Sequence, residues 1–231
     1  MFALAVLVDL GSLLAEWQPG HLVAKPLLLP LLALLVVNAR GPRALVAALL
    51  CGWGGDVLLL VDHETAFLAG MGCFAAGHVC YLVLFGRSGV RWRPAAGYAL
   101  AGGVLVVLLW PGLPAGLRVP VAAYAVLLTL MACRATGVGR TAAAGGGLFL
   151  LSDALIAGGL AGWPALPGQA FWVMATYCAA QFLLVMGGLG IAVRARERAE
   201  AEARRVWRAG VRPGDGPLEP PPQSPQKVLG N

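Results

Sequence analysis

The sequence predicts an all-α membrane protein, a polytopic bundle of eight transmembrane helices. Hydrophobic residues make up 59% of the 231 residues and charged residues only 12%, whereas an ordinary soluble domain carries roughly 25% charged residues. The mean hydropathy of +0.77 agrees with this, because so little polar surface cannot cover a water-soluble globule. The basic residues also alternate between loops, as they do in membrane proteins.

Eight apolar segments are separated by short breaks. A spanning helix needs roughly 20 residues, and about 17 at the least, so the first and fifth segments are the shortest candidates. Each segment should be helical, because backbone groups in hydrocarbon must form hydrogen bonds internally. The first segment lacks the basic start and cleavage site of a signal peptide, so residues 1–17 are interpreted as a mature helix. The segments lie at about residues 2–17, 21–38, 43–61, 65–86, 94–110, 117–134, 141–160 and 168–192.

The loop charges indicate a topology. If the chain starts on a side named A, fifteen of the seventeen Lys and Arg residues fall on that side. The loops on the opposite side, side B, contain no Lys or Arg, and Lys25 and Arg118 lie just inside segments that begin there. Because basic loops stay in the cytoplasm, the sequence predicts a multi-pass protein of the cell membrane with both termini cytoplasmic. The side A bases are Arg40, Arg43, Arg87, Arg91, Arg93, Arg134, Arg140, Arg194, Arg196, Arg198, Arg204, Arg205, Arg208, Arg212 and Lys227.

The composition divides the chain into three regions. Residues 1–193 are predicted to form the transmembrane domain, residues 194–210 a basic juxtamembrane helix near anionic headgroups, and residues 211–231 a disordered, Pro-rich cytoplasmic tail. Because the bases are confined to loops and tail, the net charge of +6 does not predict nucleic-acid binding. The five cysteines lie in apolar segments without a CxxC pair, and are interpreted as packing residues rather than disulfide or metal ligands.

Polar residues inside apolar segments are the candidate functional residues, because charge inside a membrane is costly and rare. Counting about 1.5 Å per residue, five such side chains lie within roughly 14 Å of side B, and two lie about 20 Å deep. The shallow group is Lys25, Asp56, Tyr124, Asp153 and Tyr177, and the deep group is His78 and Gln181.

Helical spacing groups some of these residues into pairs. His78 and Tyr81 are three residues apart, and Tyr177 and Gln181 are four apart, so each pair shares a helix face. In each half of the chain, a Gly-Asp or Ser-Asp pair is followed one segment later by one of these pairs. This order is compatible with two parallel four-helix repeats that face a shared axis.

Structural interpretations stand beside the functional ones. Asp56 and Lys25 can form an ion pair that only stabilises the bundle, His78 can bond within the bundle, and buried tyrosines often pack with a satisfied hydroxyl. Asp9 lies near a helix end, so it is expected to be solvated or to cap the helix. The acidic and histidine side chains of the side B loop "DHET" are expected to be solvated. Three histidines far apart in the sequence do not predict a zinc site.

Six segments resemble the YhhN family of integral membrane proteins, whose characterised animal members are lysoplasmalogenases. The resemblance covers about residues 20–190, and "GHVCY" differs slightly from the family's usual Ala-His-Leu-x-Tyr. In order, the segments are "KPLLLPLLAL" (25–34), "GDVLLL" (55–60), "GHVCYLVLF" (77–85), "PVAAYAVLLTLM" (120–131), "GLFLLSDALIA" (147–157) and "TYCAAQFLLVMGGL" (176–189).

The resemblance implies a membrane-embedded hydrolase that cleaves the vinyl ether bond of lysoplasmalogens. Its products would be a fatty aldehyde and glycerophosphoethanolamine or glycerophosphocholine, its partner a lysophospholipid, and it would need no metal or other cofactor. It also implies an eight-helix bundle. Asp56 and Asp153 fall on the family's Gly-Asp and Ser-Asp positions, which makes them the leading catalytic carboxylates.

Two carboxyl groups suit this reaction. A vinyl ether opens when a general acid protonates its β-carbon, and an ionised carboxylate can stabilise the resulting oxocarbenium ion and orient water, as in the acetal chemistry of glycosidases. Burial disfavours the charged form of a carboxyl, so a buried Asp can serve as the acid, although the sequence leaves open which Asp does so. Lys25 is the candidate for the lipid phosphate, and the other predicted substrate-binding residues are His78, Tyr81, Tyr124, Tyr177 and Gln181.

Two other classes of function remain open from the sequence. Intramembrane Asp and Lys residues also serve proton-coupled transporters of small molecules, in which repeats are common. A non-catalytic membrane protein that docks a partner through its basic tail is the other alternative. The oligomeric state is also left open.

Overall fold

The computed structural model describes residues 1–86 and 88–210, and this part of the chain folds into eight α-helices joined by short connections. The predicted all-helical class is confirmed, and each predicted apolar segment corresponds to one helix. The predicted disordered tail, 211–231, lies outside the described residues. The helices are α1 (Phe2–Leu14), α2 (Gln18–Asn38), α3 (Arg43–Leu58), α4 (Glu64–Phe85), α5 (Trp92–Leu109), α6 (Ala115–Val138), α7 (Arg140–Leu160) and α8 (Gln169–Gly210).

Six of these helices, α2 and α4 to α8, are long and apolar enough to cross a membrane. The chain is therefore a multi-pass membrane protein. Helix α1 has 13 residues and α3 has 16, which gives lengths of about 20 and 24 Å against a hydrocarbon core of about 30 Å. The fifth segment, predicted to be among the shortest, forms an 18-residue helix, whereas the third ends earlier than expected.

Residues Met1–Gly190 form one compact unit. Helix α3 packs between α2 and α4, α6 packs against α4, α5 and α7, and α1 packs on α2. The core of the unit consists of fully buried aliphatic side chains such as Leu28, Leu49, Met131 and Leu184. Apolar side chains also cover the outside of the helices, which costs little in a membrane because lipid tails are as apolar as leucine.

Close backbone contact joins α3 to α4 at Gly77. A Cβ atom on Gly77 would lie 3.1 Å from the carbonyl oxygen of Ala48 and 3.6 Å from Cβ of Cys51. Only a residue without a side chain fits this approach without a shift of the backbone. Small residues at helix interfaces are the usual means of close packing in membranes.

Helix α2 contains two prolines, and a tryptophan from α3 compensates for one of them. Pro30 has no N–H, so the carbonyl of Pro26, four residues earlier, loses its helical donor. The indole Nε1 of Trp53 donates a hydrogen bond of 2.9 Å to that carbonyl oxygen. A backbone carbonyl freed inside a membrane must find such a partner, so this bond also ties α2 to α3.

A single glycine separates α6 from α7. Gly139 has φ of 153° and ψ of 176°, a region that is nearly restricted to glycine. The chain can therefore reverse between Val138 and Arg140 without a longer loop. Gly139 therefore sets where α7, which carries Asp153, begins relative to the end of α6, which carries Tyr124.

The second unit begins at Ile191, and its described part is the helical segment up to residue 210. The charged side chains from Arg194 to Arg205 are exposed, and Arg204 and Glu200 form an ion pair of 3.9 Å one helical turn apart. An exposed pair of this kind contributes little to stability. The location of this helix near anionic headgroups stays a prediction.

Replacing Gly77 with leucine should destabilise the bundle, because the new side chain meets the α3 backbone. Overpacking of this kind costs about 1–3 kcal/mol, so we expect a lower thermal midpoint for Gly77→Leu in a fixed detergent. Gly72 is the matched control on the same helix, since a Cβ there would meet no atom within 4 Å. Equal melting of the two variants would contradict the packing assigned to Gly77.

Candidate active site

One cavity inside the first unit contains most of the predicted site residues. Its polar lining includes Lys25, Asp56, Tyr124, Asp153 and Tyr177, and the remaining lining is predominantly apolar. The cavity holds about 1050 Å³ of space not filled by atoms, part of it open to the surroundings.

The helix ends explain why these residues meet. Lys25 lies two turns after the start of α2, and Asp153 lies two turns before the end of α7. Asp56 is the third-last residue of α3, because that helix ends at Leu58. The two carboxyl groups face the same cavity and are close enough to interact electrostatically.

Asp56 ends a chain of buried hydrogen bonds. The Tyr177 hydroxyl donates to Oδ2 of Asp56 at 2.8 Å, and Nε2 of Gln181 donates to the Tyr177 oxygen at 3.3 Å. The hydroxyl of Tyr81 in turn donates to Oε1 of Gln181 at 2.8 Å. All four side chains are at most 4% exposed. Of the two pairs predicted from helical spacing, His78 with Tyr81 and Tyr177 with Gln181, three residues belong to this hydrogen-bond chain: Tyr81, Tyr177 and Gln181.

Asp153 ends a second chain, which includes the histidine. The Tyr124 hydroxyl donates to Oδ2 of Asp153, and Nε2 of His78 lies 3.0 Å from the Tyr124 oxygen. Because Tyr124 gives its hydrogen to Asp153, His78 donates through Nε2 in this arrangement. Its Nδ1 is buried and has no hydrogen-bond partner among the described residues.

The two chains differ in how freely their hydrogen bonds can reverse. Gln181 donates to Tyr177 while it accepts from Tyr81, which directs the Tyr177 hydroxyl towards Asp56. The imidazole of His78 can act as donor or acceptor at Nε2, depending on its tautomer. The Tyr124 hydroxyl can therefore donate to Asp153 or accept from it, whereas the Gln181 amide as it lies here directs the Tyr177 hydroxyl to donate to Asp56.

The ring of Phe149 separates the two chains. Its centroid lies 4.8 Å from that of His78 and 5.5 Å from that of Tyr177, with both rings edge-on. Phe149 is only 1% exposed. Edge-to-face packing holds aromatic rings in defined orientations, so Phe149 fixes the two hydrogen-bond chains relative to each other.

Lys25 is half-buried and lines the cavity. No ion pair within 4.0 Å joins it to Asp56 in the described part of the chain, although the two groups interact electrostatically. The interpretation of Lys25 and Asp56 as a direct structural ion pair therefore finds no support in this arrangement. Lys25 is a cation at the cavity wall.

The expectation for Asp9 was wrong. Its side chain is 0% exposed, and Oδ1 lies 2.8 Å from Nδ1 of His21. The short connection between α1 and α2 folds the start of α2 over Asp9, which removes it from solvent. By contrast, the residues of the side B loop are exposed as expected, and His63 caps α4 by accepting a hydrogen bond from the Thr65 amide.

All eight predicted site residues lie either in the cavity wall or in the two hydrogen-bond chains. Sequence reasoning missed His21 and Phe149. The four-residue spacing of His21 and Lys25 on α2 was the available signal for the first, and Phe149 carried none, because it resembles any core aromatic residue. Within residues 1–86 and 88–210, no three His, Cys, Asp or Glu side chains are grouped so that they could hold a metal ion.

Several known proteins that are similar to this chain are named lysoplasmalogenase. Lysoplasmalogenase TMEM86B of Homo sapiens is 35% identical over 147 residues, a match that covers 64% of each chain. Its Rattus norvegicus counterpart is 33% identical over 180 residues, covering 75% of this chain and 74% of the relative. A lysoplasmalogenase of Mycobacterium tuberculosis is 34% identical over 188 residues, covering 75% of this chain and 70% of the relative. No solved structure matches the chain significantly.

The match to a protein family covers most of the helix bundle. The model of the YhhN family matches residues 20–188, a range that contains both carboxylates and both hydrogen-bond chains. The resemblance predicted from six segments is thereby confirmed, and the chain belongs to the YhhN family.

Proposed function

We propose that this protein is a lysoplasmalogenase, which hydrolyses the vinyl ether bond of a lysoplasmalogen to a fatty aldehyde and a glycerophospho-base. The observation that carries the proposal is that two carboxyl groups from different helices, Asp56 and Asp153, face one largely apolar cavity. Relatives named lysoplasmalogenase support it, at 33–35% identity over much of the chain.

The composition of the cavity wall suits a single-chain amphiphile. Lys25 supplies a cation for the phosphate, while leucine, valine and phenylalanine side chains of α4 to α7 supply an apolar surface for the alkenyl chain. Apolar ligand surface is stabilised by about 25 cal/mol per Å² buried. The reacting carbons, between headgroup and chain, would then lie beside the two carboxyl groups.

In the first step, the protonated carboxyl transfers its proton to the β-carbon of the vinyl ether. The electron pair of the double bond forms the new C–H bond, and the ether oxygen shares its lone pair with the α-carbon to give an oxocarbenium ion. The second, ionised carboxylate stabilises this cation.

In the second step, water attacks the α-carbon and gives one proton to the ionised carboxylate, which yields a hemiacetal. The bond between the α-carbon and the glycerol oxygen then breaks. The leaving oxygen takes the proton held by the second carboxyl, and the hemiacetal hydroxyl returns a proton to the first. Both carboxyls thereby regain their starting states, and the net reaction consumes one water molecule.

Asp153 is the general acid in this proposal, and Asp56 the ionised partner. Lys25 lines the same cavity as Asp56, and a nearby cation favours the ionised form of a carboxyl group. Donation from the Tyr177 hydroxyl to Asp56 does the same. Tyr124 can reverse its hydrogen bond because His78 lies behind it, so Asp153 can lose and regain a proton without breaking its contact. Unequal surroundings are what separates the roles of paired carboxyl groups.

The proposal includes an eight-span topology with both termini in the cytoplasm. The alternation of basic and non-basic loops supports this topology. Helices α1 and α3 are short but apolar, and a short apolar helix crosses a bilayer that is locally thinned around it. Asp56 lies on the third helix of the first four and Asp153 on the third helix of the second four, an order that favours two parallel four-helix repeats. The lipid substrate is the only partner proposed.

Asparagine at either catalytic carboxyl should abolish most of the activity. We expect Asp56→Asn and Asp153→Asn to lower the rate of aldehyde release from lysoplasmenylethanolamine by about 10²–10⁴, the usual contribution of acid–base catalysis. Asp62→Asn, at an exposed turn position, is the control and should retain wild-type activity. Full activity in either site variant at equal protein level would remove that Asp from the mechanism.

Removing the tyrosine hydroxyls should reduce the rate less severely. Tyr124→Phe and Tyr177→Phe each delete one hydrogen bond to a reacting carboxyl, which corresponds to about a tenfold loss in kcat. Tyr98 is the control, because its hydroxyl donates to the Ala143 carbonyl rather than to a carboxyl. A loss in Tyr98→Phe as large as in the site variants would indicate a general packing effect.

Reporter fusions and cysteine labelling test the topology. A cysteine at position 63 should react with an impermeant reagent in intact cells. A cysteine at position 89, in the exposed connection between α4 and α5 where an added Cβ meets no atom within 4 Å, should react only after permeabilisation. A reporter at either terminus should be cytoplasmic, because eight crossings return the chain to its starting side. Termini on opposite sides would show that one short helix does not cross.

A further inference from the structure

We propose that His21 and Lys25 together form the binding site for a singly charged phosphodiester, with Asp9 as the positioning residue for His21. The identification of the ligand as a lysophospholipid headgroup rests on the proposed function. The arrangement of the three side chains does not.

The two basic side chains occupy one face of α2. His21 and Lys25 are four residues apart, so their side chains are neighbours on the helix surface. Lys25 lines the cavity, and His21 is one turn closer to the start of the helix, with its side chain 15% exposed. His21 is therefore about 6 Å nearer to the surface where the headgroup of a lipid would lie.

Asp9 holds the imidazole of His21 from the opposite helix. Its Oδ1 lies 2.8 Å from Nδ1 of His21, while Oδ2 is buried without a hydrogen-bond partner in the described part of the chain. A fully buried carboxylate is costly unless a charge compensates it. Asp9 also interacts electrostatically with Lys25, so this one carboxyl group lies near both basic side chains.

The His21 ring keeps one nitrogen available for a ligand. The Nε2 of His21 has no hydrogen-bond partner among the described residues. Because Nδ1 is engaged with Asp9, Nε2–H is the donor that remains for a phosphate oxygen.

A purely structural role does not account for the whole arrangement. Packing already holds α1 against α2, because the backbone at Gly20 lies against the Ser12 hydroxyl and the Trp17 ring. The Asp9–His21 bond is therefore not the only contact in this hairpin. Its distinctive effect is to orient a cation beside Lys25 at the edge of the catalytic cavity.

The test compares two substrates that share one alkenyl chain, a lysoplasmenylethanolamine and the corresponding 1-alkenylglycerol without phosphate. For His21→Gln, we expect KM for the phosphate-containing substrate to rise about tenfold or more, the equivalent of one charge-assisted hydrogen bond. The kcat should stay within about twofold, since His21 does not touch the reacting carbons. With 1-alkenylglycerol, the variant and the wild type should give the same KM.

Two further variants separate recognition from folding. Asp9→Asn should raise KM selectively for the phosphate-containing substrate, and combining it with His21→Gln should add little, because both act on one interaction. His63→Asn is the matched control, a histidine on an exposed loop whose capping role asparagine can fulfil. Its KM should match that of the wild type. An equal rise in KM for both substrates, or additive effects of Asp9→Asn and His21→Gln, would overturn the proposal.

Binding of a non-hydrolysable lipid distinguishes this proposal from the proposed function. The wild type should bind 1-O-alkylglycerophosphoethanolamine about tenfold or more tightly than 1-O-alkylglycerol, and His21→Gln should remove that difference. This result would support the phosphate site even if no vinyl ether were hydrolysed. Equal binding of the two lipids by the wild type would overturn it, and displacement by inorganic phosphate as effective as by the lysolipid would overturn the assignment to a lipid headgroup.

Discussion

The need to satisfy two carboxyl groups inside an apolar helix bundle governs the arrangement of the other site residues. A buried acid without partners is unstable in such surroundings, and here each catalytic candidate receives a hydrogen bond from a tyrosine on another helix. Those tyrosines are in turn bonded to Gln181 and His78. Two polar chains therefore run from the cavity into the bundle, and they link α3 to α8, α8 to α4, and α7 to α6 to α4. Helix α4 joins both, because it carries Tyr81 and His78 on one face.

Such chains require helices that lie close together. Hydrogen bonds of about 3 Å between side chains on neighbouring helices tolerate little change in helix spacing. Gly77 lets α4 approach α3 one residue before His78, and Gly139 allows the abrupt reversal between α6 and α7. The polar site therefore depends on these glycines, because the small residues set the distances between helices over which the polar side chains must form hydrogen bonds.

Much of this organisation follows from the sequence. The depth of each polar residue can be counted from the segment ends, and this count places Asp56, Asp153 and Tyr124 in the same half of the bundle. Helical spacing also identified His78 with Tyr81 and Tyr177 with Gln181. Which tyrosine bonds to which carboxyl could not be predicted, because that depends on the relative rotation of non-adjacent helices. Asp9 was misjudged for a related reason, since a residue near the end of one helix is buried only if the next helix folds back over it.

The hydrogen bond between Trp53 and the Pro26 carbonyl connects the outer surface of the bundle to the site in its interior. Pro26 directly follows Lys25, and Trp53 precedes Asp56 by three residues. This hydrogen bond therefore connects the segment that carries Lys25 to the segment that carries Asp56. Trp53 is 41% exposed, on a surface that acyl chains would cover. We expect lipid that contacts this ring to act on the distance between Lys25 and Asp56 through this one hydrogen bond, so that this distance responds to the thickness and order of the host bilayer.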